Sequence, residues 1–404
     1  MKIRYFLFIL LLITISCTDK KDNEIQNDLN SEIVKTETIE KEVQPKKNIK
    51  DKKAKNKFTK KRKYNKFTKG IYLTAYTINT QKFYTILDSA EAAGINTLIF
   101  DLRNMNGHVF FRMPQKGFLV GENIKPIVDI NKVIKAAHKR DMRAVARLVM
   151  FHDQTTAQRD STLRPESTNG GAWRESRRKK AAWLDSSNLQ VQATLLEIIK
   201  VVAKTGIDEI QLDYVRFPTQ GKISEAIFAF QKEDSIKATN DSTYIFRQKS
   251  DIIMDFVSKA KQICDKYKVT LTADVFAIVS WQRKADINAT GQDIKKMTKH
   301  LDAIHPMIYS SHFAKNFGFR ENLYNEPYFI VYKGIMLSKR YASSECRVIP
   351  YIQSNSWKVN YGYDYIVAQI QAVKDSNSDG YILWNASNKY YQALRWIREF
   401  DDLN

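Results

Sequence analysis

The chain has 404 residues, 43% of them hydrophobic and 12% aromatic, which excludes a wholly disordered protein and permits a sizeable core. With 14 Gly, 8 Pro and 3 Cys, collagen-like chains, low-complexity chains, disulfide miniproteins and four-cysteine zinc sites are out. The formal charge of +21 is uneven: residues 1–69 hold 19 Lys/Arg against 9 Asp/Glu, and the remaining 335 hold 46 against 35.

Lys2 and Arg4 precede an apolar run of 11 residues, Tyr5 to Ile15, too short to span a bilayer and suited to an export signal. It ends in Thr14-Ile15-Ser16-Cys17, which resembles a bacterial lipoprotein cleavage box, with Thr14 where Leu is usual. The expectation is that residues 1–16 are removed and Cys17 becomes a lipidated anchor in the cell envelope. In the alternative, an ordinary signal or an uncleaved anchor, Cys17 has no role. Residues 17–66 are rich in Lys, Glu, Asp and Asn, too polar to offset their chain entropy, and read as a disordered tether. Within 45–69 there are 13 basic residues and one acid, Asp51. Behind an export signal this run reads first as a solvated spacer. Anionic lipids or wall polymers are its next candidates, and no specific nucleic acid is expected.

From Lys69 onward short apolar runs alternate with helical patterns. Strands are expected at 70–76, 97–103, 143–149, 209–215, 270–276, 303–309, 348–353 and 380–386. Helices are expected at 80–93, 126–140, 188–205, 244–267, 324–342, 362–376 and 389–400. Eight strands alternating with helices predict an α/β fold, a (β/α)8 TIM barrel over 67–404 with long inserted loops. The loop 152–188 carries Arg174, Arg177, Arg178, Lys179 and Lys180; it reads either as a rim favouring an anionic glycan or as a solvated basic surface. The insertion from Pro218 to Tyr244 has no legible purpose.

In a barrel, alternate strand residues point inward and the chemistry sits at the C-terminal strand ends. That parity turns Asp101, Arg103, Arg147, Gln211, Asp213, Thr272, Asp274, His305, Tyr309, Gln353 and Trp384 inward. Charges aimed into a barrel are costly unless paired or serving a ligand. The chain lacks GxSxG, HExxH, GxxxxGK[ST] and GxGxxG patterns, and its six His show no close pair with metal-ligand spacing, so no metal or cofactor is expected. Cys264 and Cys346 read as small buried fillers. What remains is carboxylate chemistry. Asp213 and Asp274 end adjacent strands, and two carboxyl groups flanking one bond define most glycoside hydrolysis. Tyr309, Trp384 and the loop residues Trp173 and Trp183 supply faces for sugar rings, with Asn385 and His312 as hydrogen-bonding partners.

Eight segments, KGIYLTAYT (69–77), GGAWRE (170–175), AAWLDSSN (181–188), DEIQLDYVRFP (208–218), LTADVFA (271–277), GQDI (291–294), HPMIYSSHF (305–313) and GYILWNASNKY (380–390), resemble the bacterial glycoside-hydrolase-like proteins of the DUF4015 type, in order over some 320 residues. The resemblance implies a TIM barrel related to glycosidases, acting on a polysaccharide or cell-wall glycan by two carboxylates. The alternative it leaves is a non-catalytic glycan-binding barrel. By analogy with α-amylase-like barrels, it implies that Asp213 attacks and Asp274 donates the proton, with Arg216 holding Asp213 ionised. Asp101, Arg147, Arg216, Tyr309, His312, Trp384 and Asn385 would bind substrate. The acid expected in the loop after strand 2 is Asn104 here, leaving Asp101 as the sole candidate third acid in that loop.

Overall fold

The computed structural model describes residues 67–403; residues 1–66, with the signal, the tether and Cys17, lie outside the described residues. The barrel strands are β1 (Thr68–Leu73), β2 (Thr97–Arg103), β3 (Arg143–Val149), β4 (Glu209–Asp213), β5 (Thr270–Val275), β6 (Ala303–Ile308), β7 (Tyr351–Gln353) and β8 (Gly380–Trp384). Each pairs in parallel with the next, and β8 closes on β1. This is a closed TIM barrel. A two-residue stub, Arg347–Val348, lengthens the wall before β7 by pairing with the start of β6.

The main helices that follow the strands are α1 (Lys82–Ala92), α2 (Ile130–His138), α3 (Leu189–Ala203), α4 (Lys249–Tyr267), α5 (Lys284–Thr290), α6 (Pro327–Tyr341), α7 (Tyr363–Asp375) and α8 (Tyr391–Leu403). Their ends follow local chemistry. Asp129 and Asn188 cap α2 and α3 by accepting main-chain N–H bonds, and Gly291, at φ +75°, ends α5. In α8, Ala393, Leu394, Ile397 and Phe400 are buried on the i, i+1, i+4, i+7 stripe that the sequence repeats. Burying each of the three larger ones is worth roughly 1.5–3 kcal/mol.

Both faces of the strands are covered, which is why they read as nearly unbroken apolar runs. Outward residues such as Leu98, Phe100, Ile210, Leu212, Leu271 and Ala273 belong to the large core shared with the helices. Inward residues form layers. Ile99, Val145, Ala303, Tyr351 and Ile382 make an apolar middle. Below it, at the N-terminal strand ends, Glu209 accepts from Arg143 Nη1 (2.8 Å) and Thr272 Oγ1 (2.9 Å), with His305 Nε2 at 3.7 Å. Burial alone would raise the Glu209 carboxyl, but Arg143, His305 and Thr272 together carry it down to about 2. Above the middle lies a second charged layer.

The insertion after β4 has a structural purpose that its sequence conceals. Its helix, Ala229–Asn240, docks on the long loop after β3. Asp185 and Ser187 of that loop accept the N–H groups of Ala229 (2.6 Å) and Phe230 (3.0 Å) at the helix start. Glu166–Ser167 and Ala226–Ile227 pair antiparallel between the two segments, and Trp173 Nε1 donates to the Lys222 carbonyl.

Candidate active site

The upper charged layer gathers the ends of four consecutive strands around one guanidinium. Arg147 of β3 donates to Asp101 of β2 through Nη1 (2.5 Å) and to Asp213 of β4 through Nη2 and Nε, the latter at 3.1 Å; Asp274 of β5 lies 3.9 Å from Nε. Parallel pairing sets Asp101 level with Arg147, and the right-handed stagger brings Asp213 up beside Val149. Asp213 also accepts the N–H of Tyr214 (2.6 Å), whose φ of +50° is costly for an aromatic residue. Gln211 Nε2 donates to Asp274 and to Tyr351 Oη (3.0 Å). The Asp274 main chain is pinned by Gln292, which donates to its carbonyl at 3.0 Å.

Three carboxyl groups therefore meet one fixed cation. Burial, and next the charge of Asp213, push the Asp274 carboxyl well above its ordinary range, and Arg147 and Gln211 only partly offset this. Burial also raises Asp101, against the opposing pull of Arg147 and Tyr72. Burial disfavours the Arg147 cation, yet Asp213 and Asp101 hold it well above the usual guanidinium value. The arrangement pairs the Asp213 carboxyl group with Arg147 and leaves the raised Asp274 carboxyl beside it, farther from the same cation. Among the described residues, no group of three or more His, Cys, Asp or Glu side chains could hold a metal ion.

Aromatic rings roof this layer. Tyr72 stacks on Trp384 with centroids 4.3 Å apart, and the Arg147 guanidinium carbon lies 5.3 and 5.6 Å from the two rings. Tyr72 Oη donates to Asp101 at 2.5 Å. Tyr309 lies 6.3 Å from Trp384 and 5.0 Å from His312, which in turn packs on Trp357. Burial and the Lys358 charge bring His312 down to about 4, so it is neutral at physiological pH.

Several residues take different places from those expected. Arg216 is not the cation on Asp213; Arg147 is. Arg216 donates instead to the Phe217 carbonyl (3.0 Å) and packs on Trp183, Tyr214 and Phe276. Asn385 spends its amide on the Ser354 and Lys389 carbonyls and the Ser387 N–H, which shapes the turn after β8. Arg103 leaves the interior because the β2–β3 register shifts between Asp101 and Arg103; it pairs with Asp153 at 2.5 Å. Gln353 is bonded to the loops around Ser311 and Trp357. Trp173 and Trp183 are 4% and 3% exposed; Trp173 ties the two insertions together and Trp183 donates to Glu175 of its own loop, so neither offers an open face. Tyr72 and Tyr351 were not singled out, although continuing the inward parity from Gly70 and from Gln353 would have reached both.

The model of the DUF4015 family, described as "Putative glycosyl hydrolase domain", matches residues 70–390. No curated protein matches the chain. Among solved structures, the PgaB (BpsB) glycoside hydrolase domain from Bordetella bronchiseptica is similar, with a TM-score of 0.57 at 12% identity over 82% of this chain and 98% of that one. A beta-galactosidase from the psychrophilic Marinomonas ef1 gives 0.56 at 8% identity, over 83% and 59% of the two chains. The catalytic domain of a beta-amylase from Paenibacillus polymyxa gives 0.51 at 10%, over 83% and 99%. At these identities the likeness is one of fold.

Proposed function

We propose, because the chain belongs to the DUF4015 family of glycosyl hydrolase domains, that it cleaves the glycosidic bonds of a polysaccharide or cell-wall glycan with Asp213 and Asp274. The supporting observation is that both acids share Arg147 while burial and the Asp213 charge push the Asp274 carboxyl well above its ordinary range. Asp274 gives its proton to the leaving oxygen as the C–O bond breaks. Asp213 takes the anomeric carbon, and water then releases the sugar while returning a proton to Asp274. The nearest oxygens of the two acids lie 3.1 and 3.9 Å from the same Nε. They are therefore at most about 7 Å apart, a reach that admits direct attack and excludes the wide end of the water-activating spacing.

The test is hydrolysis of a glycan panel by purified residues 66–404 with Asp274→Asn as control. Wild-type turnover abolished in the variant, with binding retained, supports the reading. Turnover unchanged from the wild type in both Asp213→Asn and Asp274→Asn removes it. A binding-only barrel is favoured by one observation, the 4% and 2% exposure of the two acids; it predicts binding with no turnover by either protein.

Export and anchoring belong to the same proposal, supported by the sequence around Cys17. Metabolic labelling with a fatty acid in a bacterial host should mark the wild type, and Cys17→Ala should leave the protein unlabelled and out of the membrane fraction. Labelling that survives the substitution would overturn the anchor.

A further inference from the structure

The buried arginines of the barrel and its loops have acids of their own. Arg103 pairs with Asp153, Arg143 with Glu209, and Arg147 with Asp101 and Asp213. Arg216 differs. It leaves β4 three residues after Asp213, at the mouth that holds the candidate acids. Its guanidinium carbon lies 4.9 Å from the Trp183 ring, 5.1 Å from Tyr214 and 5.1 Å from Phe276. Its recorded side-chain bonds are from Nη1 alone, to the Phe217 carbonyl (3.0 Å) and Thr219 Oγ1 (3.4 Å). The acid whose field reaches it from outside the charged layer, Glu175, is already engaged by Trp183 Nε1 (3.0 Å) and Lys179 (2.8 Å).

Three aromatic walls fix the position of this guanidinium, whose planar fork presents paired N–H groups that match a carboxylate. Burial lowers its affinity for the proton, a cost that an incoming anion would offset. The same loop that supplies Trp183 exposes Arg174, Arg177, Arg178 and Lys180, a positive approach to the mouth.

Resting on the hydrolase reading, we infer that the glycan is acidic and that a uronate carboxylate seats on Arg216 beside the bond to be cut. The exposed Arg/Lys run raises the encounter rate, and Arg216 supplies the selection. Its side chain is a specificity group for the sugar next to Asp213 and takes no part in the proton transfer.

The experiment uses the full chain without its first 65 residues, carrying Asp274→Asn so that bound polymer survives. Affinity electrophoresis at physiological salt compares three uronate polymers, polygalacturonate, alginate and hyaluronan, with neutral dextran, xylan and β-glucan. Retention by a uronate polymer and not by the neutral ones is expected, weakened about 10–100-fold by adding Arg216→Gln, the range of a lost charge-assisted pair at about 1.4 kcal/mol per tenfold. Arg216→Lys should recover only part of it. Arg177→Gln with Arg178→Gln should steepen no preference and mainly slow association. Retention on neutral polymers alone, on no uronate polymer, or unaltered by Arg216→Gln in a variant that still melts cooperatively would overturn the inference. Wild-type turnover separates the two readings. A neutral glycan that is cut sinks the acidic substrate and spares the hydrolase; a uronate polymer that is held by Arg216 and never cut does the reverse.

Discussion

The barrel carries ionised side chains at both ends of its interior, and the two ends treat them in opposite ways. At the floor, Glu209 meets Arg143, Thr272 and His305, and the surplus of donors drives its carboxyl down to about 2. At the mouth, three carboxyl groups divide one guanidinium, and Asp274 is driven up. Both sets are equally hidden from water, so burial by itself does not distinguish them. The ratio of acids to cations does. A set with donors to spare holds its acid as a carboxylate in the wall; one with acids to spare raises a carboxyl group, as functional sites do.

The contrast can be broken most severely at the mouth. Asp274→Asn and Asp213→Asn should each reduce kcat on the cognate glycan by about 10^3-fold or more, while the fold persists. A comparable loss from Glu209→Gln in protein that remains folded would erase the distinction. At the floor the large effect is on stability. Glu209→Gln takes the buried carboxylate away from Arg143, Thr272 and His305 and should cost about 3–5 kcal/mol in urea unfolding. Asp274→Asn should cost little or stabilise, because the amide removes a carboxyl group that burial and the Asp213 charge already disfavour as an anion.

Titration sharpens the comparison further. Glu209 is depressed from an ordinary 4.5 to about 2, so its contribution is complete above the unfolded value and is lost as pH falls from about 4.5 through 2. Asp274 is raised, so its neutral form favours the fold at low pH, and that advantage fades as pH rises from its ordinary 3.8 through the elevated folded value. Activity, which needs the Asp274 proton, should fall on the same alkaline side. Stability measured against pH in Asp274→Asn should lose the alkaline decline and keep the acidic one. A smaller loss than that at Glu209 is expected from Tyr72→Phe, which removes the phenol donor to Asp101 and should cost about 1–2 kcal/mol in denaturant unfolding.

What the sequence made legible follows from where information is local. β2 and β3 match their expected bounds, 97–103 and 143–149, because each is a mostly apolar run, interrupted inside only by Asp101 or Arg147, between polar turns. Inward parity placed Asp101, Arg147, Asp213 and Asp274 on interior positions at successive strand ends. Which cation serves which acid was not legible. Arg216 is three residues from Asp213 and Arg147 is sixty-six away, yet adjacent strands make the distant one the partner. The helix Ala229–Asn240 was missed because only Phe230 and Asp234 of it are buried, so it has no apolar stripe. α5, with Thr290 alone buried, was missed for the same reason. Asn385 looked like a ligand group because nothing in GYILWNASNKY reveals how tightly the turn after β8 consumes its amide.

The docking of the β4 insertion on the β3 loop has an evolutionary corollary. Asp185 and Ser187 serve a helix that begins more than forty residues downstream, and Phe228 and Phe230 lie in the shared core. Exchanging either segment alone for that of a homologue would strand hydrogen-bonding groups on one side and uncover aromatic surface on the other. The pair should be inherited, and transplanted, as one cassette.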